Sequence, residues 1–146
     1  KICDAVGIDF TKITKPKQNH TSNVKRVDKV YVPEELENID GLVTNKENIA
    51  ISTTNADCIL YLLFDKKKRI IGNIHSGWKG SYQGIIEVAL DKITEEYGSN
   101  LKDVIICICP SIRKCCMSFF QFCFNHIFSV FLHQCRYSKR SNYADY

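Results

Sequence analysis

The feature that most constrains the fold is a pair of apolar runs, residues 59–64 and 70–74, separated by Asp65, Lys66, Lys67, Lys68 and Arg69. Runs this short and this apolar suit strands, and their near-continuity predicts burial on both faces. The polar stretch between them predicts a hairpin. In an antiparallel pair, the start of one strand lies beside the end of the other. Cys58 opens the first run and His75 closes the second, so a thiol and an imidazole are predicted to meet although 17 positions (75 − 58) separate them.

The rest of the chain supplies elements to pack around that hairpin. Residues 8–20 read as extended, since Pro16 bars a helix there. Val24, Val27, Val30 and Val32 predict an irregular strand over 24–32, and Pro33 opens a loop or a single helical turn over 33–37. Asp40 and Gly41 form a turn signal. Short strands follow at 42–44 and 49–54. Tyr82, Ile85, Ile86, Ala89, Leu90, Ile93 and Tyr97 recur at three- and four-residue steps, which predicts a helix closed by Gly98 in a left-handed cap. Residues 104–108 read as another buried strand. A helix linking two strands in a strand-rich chain predicts a mixed α/β (α+β) domain.

Composition narrows the function classes. At 146 residues the chain suffices for one domain with a real core, and 45% apolar and 25% charged residues are ordinary for a globular protein. The net charge of +4 comes from scattered lysines without interleaved aromatics, which argues against a nucleic-acid partner. No apolar run reaches about 18 residues, and the start lacks the look of a signal peptide, which argues against a membrane role. Residues 2–6 look like the end of a helix with Gly7 as its stop, so further chain is expected before Lys1. Six of the eight cysteines lie between Cys107 and Cys135, a spacing that suits reduced thiols in a cytoplasm better than a secreted disulfide scaffold. Residues 117–146 differ in composition from what precedes them. Six phenylalanines fall between positions 119 and 131, and no acidic residue lies between Asp103 and Asp145. They read as an atypical Phe/Cys-rich tail: an aromatic core helix, an out-of-frame end or a truncated end.

Taken singly, Cys58 reads as a small buried hydrophobe and His75 as a hydrogen-bonded strand-end residue. Placed together at adjacent hairpin ends they read as part of a site. His75 leads into Ser76, Gly77, Trp78, Lys79 and Gly80, a corner whose glycines allow close approach or positive φ and whose helix start offers N–H groups to an anion. Trp78 suits a wall or the core. His20, in the polar loop before Val24, completes a His₂Cys set. Two imidazoles and one thiolate suit Zn²⁺ with a fourth position left for water, and the same donors accept copper. Without metal, Cys58 and His75 would suit a thiolate–imidazolium pair.

The ordered segments Gln18-Asn-His20, Asp40-Gly-Leu-Val-Thr44, Thr54-Asn-Ala-Asp-Cys58, His75-Ser-Gly-Trp-Lys-Gly80, Cys107-Ile-Cys-Pro-Ser-Ile112 and Cys115-Cys116 resemble the YfiH/YlmD-like, laccase-domain (polyphenol oxidase-type) purine nucleoside phosphorylase family. The resemblance implies His20, Cys58 and His75 as zinc ligands, the same trio that spacing suggests. It implies a layered sandwich like that of cytotoxic deamidases, here incomplete at both ends, with residues 1–116 as the catalytic domain. It implies phosphorolysis of adenosine, inosine and methylthioadenosine and deamination of adenosine, with a purine nucleoside and phosphate as small-molecule partners. Asp57 would orient a ligand or shuttle a proton, or merely cap a turn; Ser76 and Lys79 would meet phosphate. Lys79 stands where the family has arginine, keeping charge but losing a bidentate fork, and Cys109 stands in place of a glycine. The alternatives are a copper-dependent polyphenol oxidase and an inactive metal-binding fragment.

Overall fold

Alternation, rather than continuous burial, governs the central hairpin. The computed structural model describes residues 3, 5 and 7–112; the expectations for residues 117–146, for Cys115 and Cys116, and for most of the helix end at 2–6 lie outside the described residues. The strands in chain order are β1 (Ile13–Thr14), β2 (Val24–Arg26), β3 (Gly41–Thr44), β4 (Ala50–Ile51), β5 (Ile59–Asp65), β6 (Ile70–Ser76) and β7 (Val104–Ile108). Two helices lie between β6 and β7: α1 (Trp78–Tyr82) and α2 (Ile85–Tyr97). Within β5, Tyr61, Leu63 and Asp65 are buried, whereas Leu62 is 41% and Phe64 45% exposed. The expectation of burial on both faces is therefore corrected: successive side chains leave a pleated strand on opposite sides, and among the described residues only one side of this sheet carries a helix layer.

The hairpin itself forms as its two ends require. β5 and β6 pair antiparallel from Ile59 with Ser76 to Asp65 with Ile70, and Leu60 lies opposite His75. Their turn is held by Asp65, whose Oδ1 accepts from the amides of Lys67 and Lys68 at 2.8 and 3.0 Å. The five-stranded sheet runs β2-β3-β6-β5-β7, with β2 and β3 parallel and the other pairs antiparallel. Among the described residues β7 is an edge of this sheet, and Ile105, Ile106 and Ile108 are 40–52% exposed, so it is not the buried strand expected. A separate two-stranded sheet pairs β1 with β4 in parallel.

The helix layer is built by spacing. Ile85, Ile86, Ala89 and Ile93 are buried along one stripe of α2, which packs on β6, β2 and β3. Each isoleucine so buried contributes roughly 1.5–3 kcal/mol. Gly98 ends the helix at φ 63°, and the Ser99 amide reaches back to the Ile93 carbonyl at 3.2 Å, as expected of a left-handed cap. The Ser99 hydroxyl then donates to Asp65, tying the helix end to the hairpin turn. The predicted helix begins at Tyr82; instead Gly84, at φ 73°, breaks the path and starts α2 afresh at Ile85. The irregular strand expected over 24–32 is short: after Arg26 the chain leaves the ladder, and buried Val27 joins Leu36 and Leu42 in a second core cluster with Tyr31, Ile39, Ile49 and Ile51. Pro33–Leu36 forms the expected single helical turn. The result is a mixed α+β architecture. No helix among the described residues is long and apolar enough to cross a membrane.

Candidate metal centre

The site is assembled on three segments, and its anchor is Asp40. The Asp40-Gly41 pair reads as a turn in sequence but is the entry to β3: Gly41 is the first residue of the strand and Asp40 is wholly buried. Asp40 Oδ1 accepts from the His20 amide at 3.0 Å and lies 2.8 Å from His75 Nδ1. Its Oδ2 accepts from the amides of Asn19 and Thr21, at 3.1 and 2.8 Å, and from the Thr21 hydroxyl at 2.9 Å. Burial by itself would raise this carboxyl, but His75 and these donors outweigh it and hold it below the usual aspartate value. His20 sits at φ 56°, a left-handed conformation that costs a residue with a Cβ about 1–2 kcal/mol. Three consecutive amides aimed at one carboxylate offset that cost.

The trio named by sequence converges. One ligand atom each from His20, Cys58 and His75 lies within 4.8 Å of the others. Cys58 Sγ is 3.6 Å from His20 Nε2, and the two imidazole centroids are 5.2 Å apart at 46°. His75 is buried at the end of β6, Cys58 is half-buried just before β5, and His20 is exposed, so the cluster opens to solvent on the His20 side. Tetrahedral zinc, with Zn–S about 2.3 Å and Zn–N about 2.0–2.1 Å, places sulfur and nitrogen about 3.6 Å apart. The observed Cys58–His20 separation matches, and the donor set is one that zinc or copper accepts, so these residues fit a metal.

Electrostatics disfavours the metal-free alternative. Burial, then the negative charges of Asp57 and Asp40, push the Cys58 thiol up. A free thiolate is disfavoured there, and the hydrogen-bond-range neighbour of Cys58 is His20, not the His75 that the nucleophile pair requires. A cation at the cluster supplies the charge that the thiolate lacks.

The remaining expected site residues divide. Asp57 is exposed beside Cys58. Lys79 is exposed, with its ammonium 5.5 Å from the Trp78 ring centroid; Trp78 is 65% exposed and is not core. Ser76 is buried, and its hydroxyl lies 2.7 Å from that of Ser81, which also reaches the Ser76 carbonyl. The corner glycines do not adopt the positive φ expected as one possibility. They provide close approach, not to a ligand but to the His20 loop: a Cβ on Gly77 would lie 1.9 Å from His20 Cδ2, and one on Gly80 2.6 Å from the Thr21 carbonyl oxygen. The helix start expected to face an anion belongs to α1, which is only five residues long.

Two residues that sequence reasoning passed over complete the assembly. Asp40 is one. The other is Gln18, whose amide donates to the Thr54 carbonyl at 2.8 Å and accepts from the Thr54 amide at 2.6 Å, clipping the His20 loop to the segment that leads into Cys58. Gln18 lies two residues before His20 within the same family-like segment, so its place in that segment was the available signal.

Comparisons with known proteins agree with this fold. The sequence profile described as multi-copper polyphenol oxidoreductase laccase matches residues 1–144. The purine nucleoside phosphorylase LACC1 of Mus musculus is 33% identical over 118 residues, covering 81% of this chain and 26% of the mouse protein. The purine nucleoside phosphorylase CA_C1699 of Clostridium acetobutylicum is 34% identical over 103 residues, covering 70% of this chain and 42% of that protein. The crystal structure of the hypothetical protein YfiH of Bacillus licheniformis superposes with a TM-score of 0.79 at 26% identity, over 88% of this chain and 51% of that one. YlmD of Geobacillus stearothermophilus shares the fold, with a TM-score of 0.78 at 18% identity over 86% of this chain and 49% of that one. The chain thus spans between about a quarter and a half of the relatives it matches.

Proposed function

Because the chain belongs to the multi-copper polyphenol oxidoreductase laccase family, we propose that it carries the metal centre of a zinc-dependent purine nucleoside enzyme. The activity we propose is phosphorolysis of adenosine, inosine and methylthioadenosine, together with deamination of adenosine to inosine. The convergence of His20, Cys58 and His75 within 4.8 Å is the observation that carries this reading. The relatives' name, purine nucleoside phosphorylase, supports the substrate class.

In this reading His20, Cys58 and His75 would hold the ion. When bound, zinc supplies Lewis acidity at a substrate oxygen or nitrogen near neutral pH. The exposed His20 side leaves the substrate its entry. Asp57, exposed next to Cys58, carries a proton between solvent and the purine nitrogen that gains it as the glycosidic bond breaks. Lys79 offers an exposed ammonium to phosphate, and Ser76, bonded to Ser81, holds the corner that presents it. A reducing cytoplasm suits the chain, since a thiol rather than a disulfide is needed at Cys58.

The experiment is product chromatography on zinc-loaded full chain with adenosine and phosphate. Adenine with ribose 1-phosphate, and inosine, are the expected products. Neither product from a fully loaded protein would overturn the proposal in favour of an inactive metal-binding fragment. Elemental analysis of the protein as purified separates zinc from copper, and oxidation of a phenol by the copper-loaded form alone would favour the polyphenol oxidase alternative.

A further inference from the structure

We propose that Asp40 is the positioning residue of the metal centre, one buried carboxylate that sets the ring tautomer of His75 and the loop geometry of His20 together. The inference rests on reading His20, Cys58 and His75 as ligands. A carboxylate of this kind only accepts, so the 2.8 Å contact to His75 Nδ1 requires the ring proton to sit on Nδ1. Nε2 then keeps its lone pair and can meet a cation. The same Oδ1 accepts from the His20 amide, and Oδ2 takes the amides on either side of it, Asn19 and Thr21. The two imidazoles come from segments 55 positions apart (75 − 20) and share this one anchor. Asp40 is not itself among the three residues grouped as ligands, so its effect passes through the two histidines it touches.

The carboxylate's symmetry is what an amide lacks. In Asp40→Asn the new NH₂ must replace one of the two oxygens. In the Oδ2 position it opposes two fixed amides, of Asn19 and Thr21, and only the Thr21 hydroxyl can turn to accept from it. In the Oδ1 position it opposes one fixed amide, that of His20, and faces His75, whose ring can accept if its proton moves to Nε2. The second placement leaves fewer opposed donors. The variant therefore keeps the Asn19 and Thr21 amides, gives up the His20 amide's acceptor, and surrenders the lone pair that the metal needs.

The test uses the full chain with ¹⁵N-labelled histidine, His75 being assigned by comparison with His75→Gln. Long-range ¹H–¹⁵N correlation on the metal-free wild type at alkaline pH is expected to show the proton on Nδ1. Asp40→Asn is expected to keep the wild-type circular dichroism, to show the proton on Nε2, and to bind zinc about 10- to 100-fold more weakly by competition with a chromogenic chelator. An Nε2 proton in the wild type overturns the proposal, whether or not the variant folds. So does a folded Asp40→Asn that is less heat-stable but keeps the Nδ1 proton and full zinc affinity, because a purely structural residue would behave that way. A wild type with the Nδ1 proton that binds no zinc overturns the metal-centre reading, and the control of His75 by Asp40 stands.

Discussion

Gly77 and His20 are 57 positions apart in the chain (77 − 20), yet a Cβ on Gly77 would lie 1.9 Å from Cδ2 of the His20 ring. The φ of Gly77 is −66°, which any residue adopts, so the glycine is required for space and not for backbone freedom. The strand end that delivers His75 therefore also forms the floor on which the other imidazole rests. The His-Ser-Gly corner and the Gln-Asn-His loop are one structural unit.

That contact predicts the behaviour of Gly77→Ala. The exposed His20 ring can swing toward solvent, so the fold should survive while the ring leaves the cluster. Zinc affinity is expected to fall at least about tenfold, the scale seen when ligand orientation is lost. Chelator competition measures this, with circular dichroism as the check on folding. Wild-type affinity in Gly77→Ala would show that the ring's seat is unimportant.

Cys58 supplies the only sulfur of the trio. Cys58→Ala should abolish metal binding and both proposed activities with little change in folding, since the site is half-buried and the thiol has no hydrogen-bond-range neighbour among the described residues besides His20. In a cobalt-substituted protein the near-ultraviolet thiolate-to-metal band should be present in the wild type and missing from the variant. Retention of stoichiometric metal by Cys58→Ala would remove Cys58 from the ligand set.

Acid sensitivity should trace to Asp65. Burial alone would raise its carboxyl, but the Ser99 hydroxyl and the amides of Lys68 and Lys67 outweigh it and hold the group below the ordinary aspartate value of 3.8. A depressed folded-state pKa contributes stability that is fully present above the unfolded value and is lost as pH falls through the folded one. The wild-type melting temperature should therefore drop as pH is lowered below about 4. Asp65→Asn should lose about 1–3 kcal/mol at neutral pH, where buried charged hydrogen bonds are broken, and should show a flatter acid limb. Parallel acid limbs in the two proteins would place the sensitivity elsewhere.

Lys79 and Ser76 should separate kinetically. Lys79→Ala removes an exposed cation and is expected to raise KM for phosphate several-fold while leaving the melting temperature unchanged. Ser76→Ala breaks a buried hydroxyl pair with Ser81 and is expected to cost about 1 kcal/mol of stability with a smaller change in KM. Thermal melts and phosphate titrations on the same preparations decide it. An unchanged KM in Lys79→Ala would take the phosphate contact away from this corner.

Much of the sheet was legible because its signals are local. The apolar runs around the lysine-rich turn defined β5 and β6, and the 3.6-residue spacing of Ile85, Ile86, Ala89 and Ile93 defined α2. The misreadings share a physical origin. Runs such as Ile59–Asp65 and Val104–Ile108 state how apolar a strand is but not which of its faces another layer covers. Gly84 breaks the helix because its φ is 73°, a conformation that the surrounding periodicity does not announce. Asp40-Gly41 carries the same letters whether it turns in solvent or, as here, is buried beneath two histidines.

The chain's order of residues determined which donors were available: one thiol and one imidazole at the two ends of a hairpin, and a second imidazole in a polar loop ahead of β2. Hairpin pairing is a short-range consequence of strand propensity and a turn, so the meeting of Cys58 with the end of β6 followed from sequence alone. The arrival of His20 did not. It depends on Asp40 gathering three amides, on Gln18 clipping to Thr54, and on Gly77 leaving room for a ring, all contacts between segments remote in the chain. Such contacts are selected by shape and by the cost of leaving a buried carboxylate without partners, quantities that exist only once the segments are packed together.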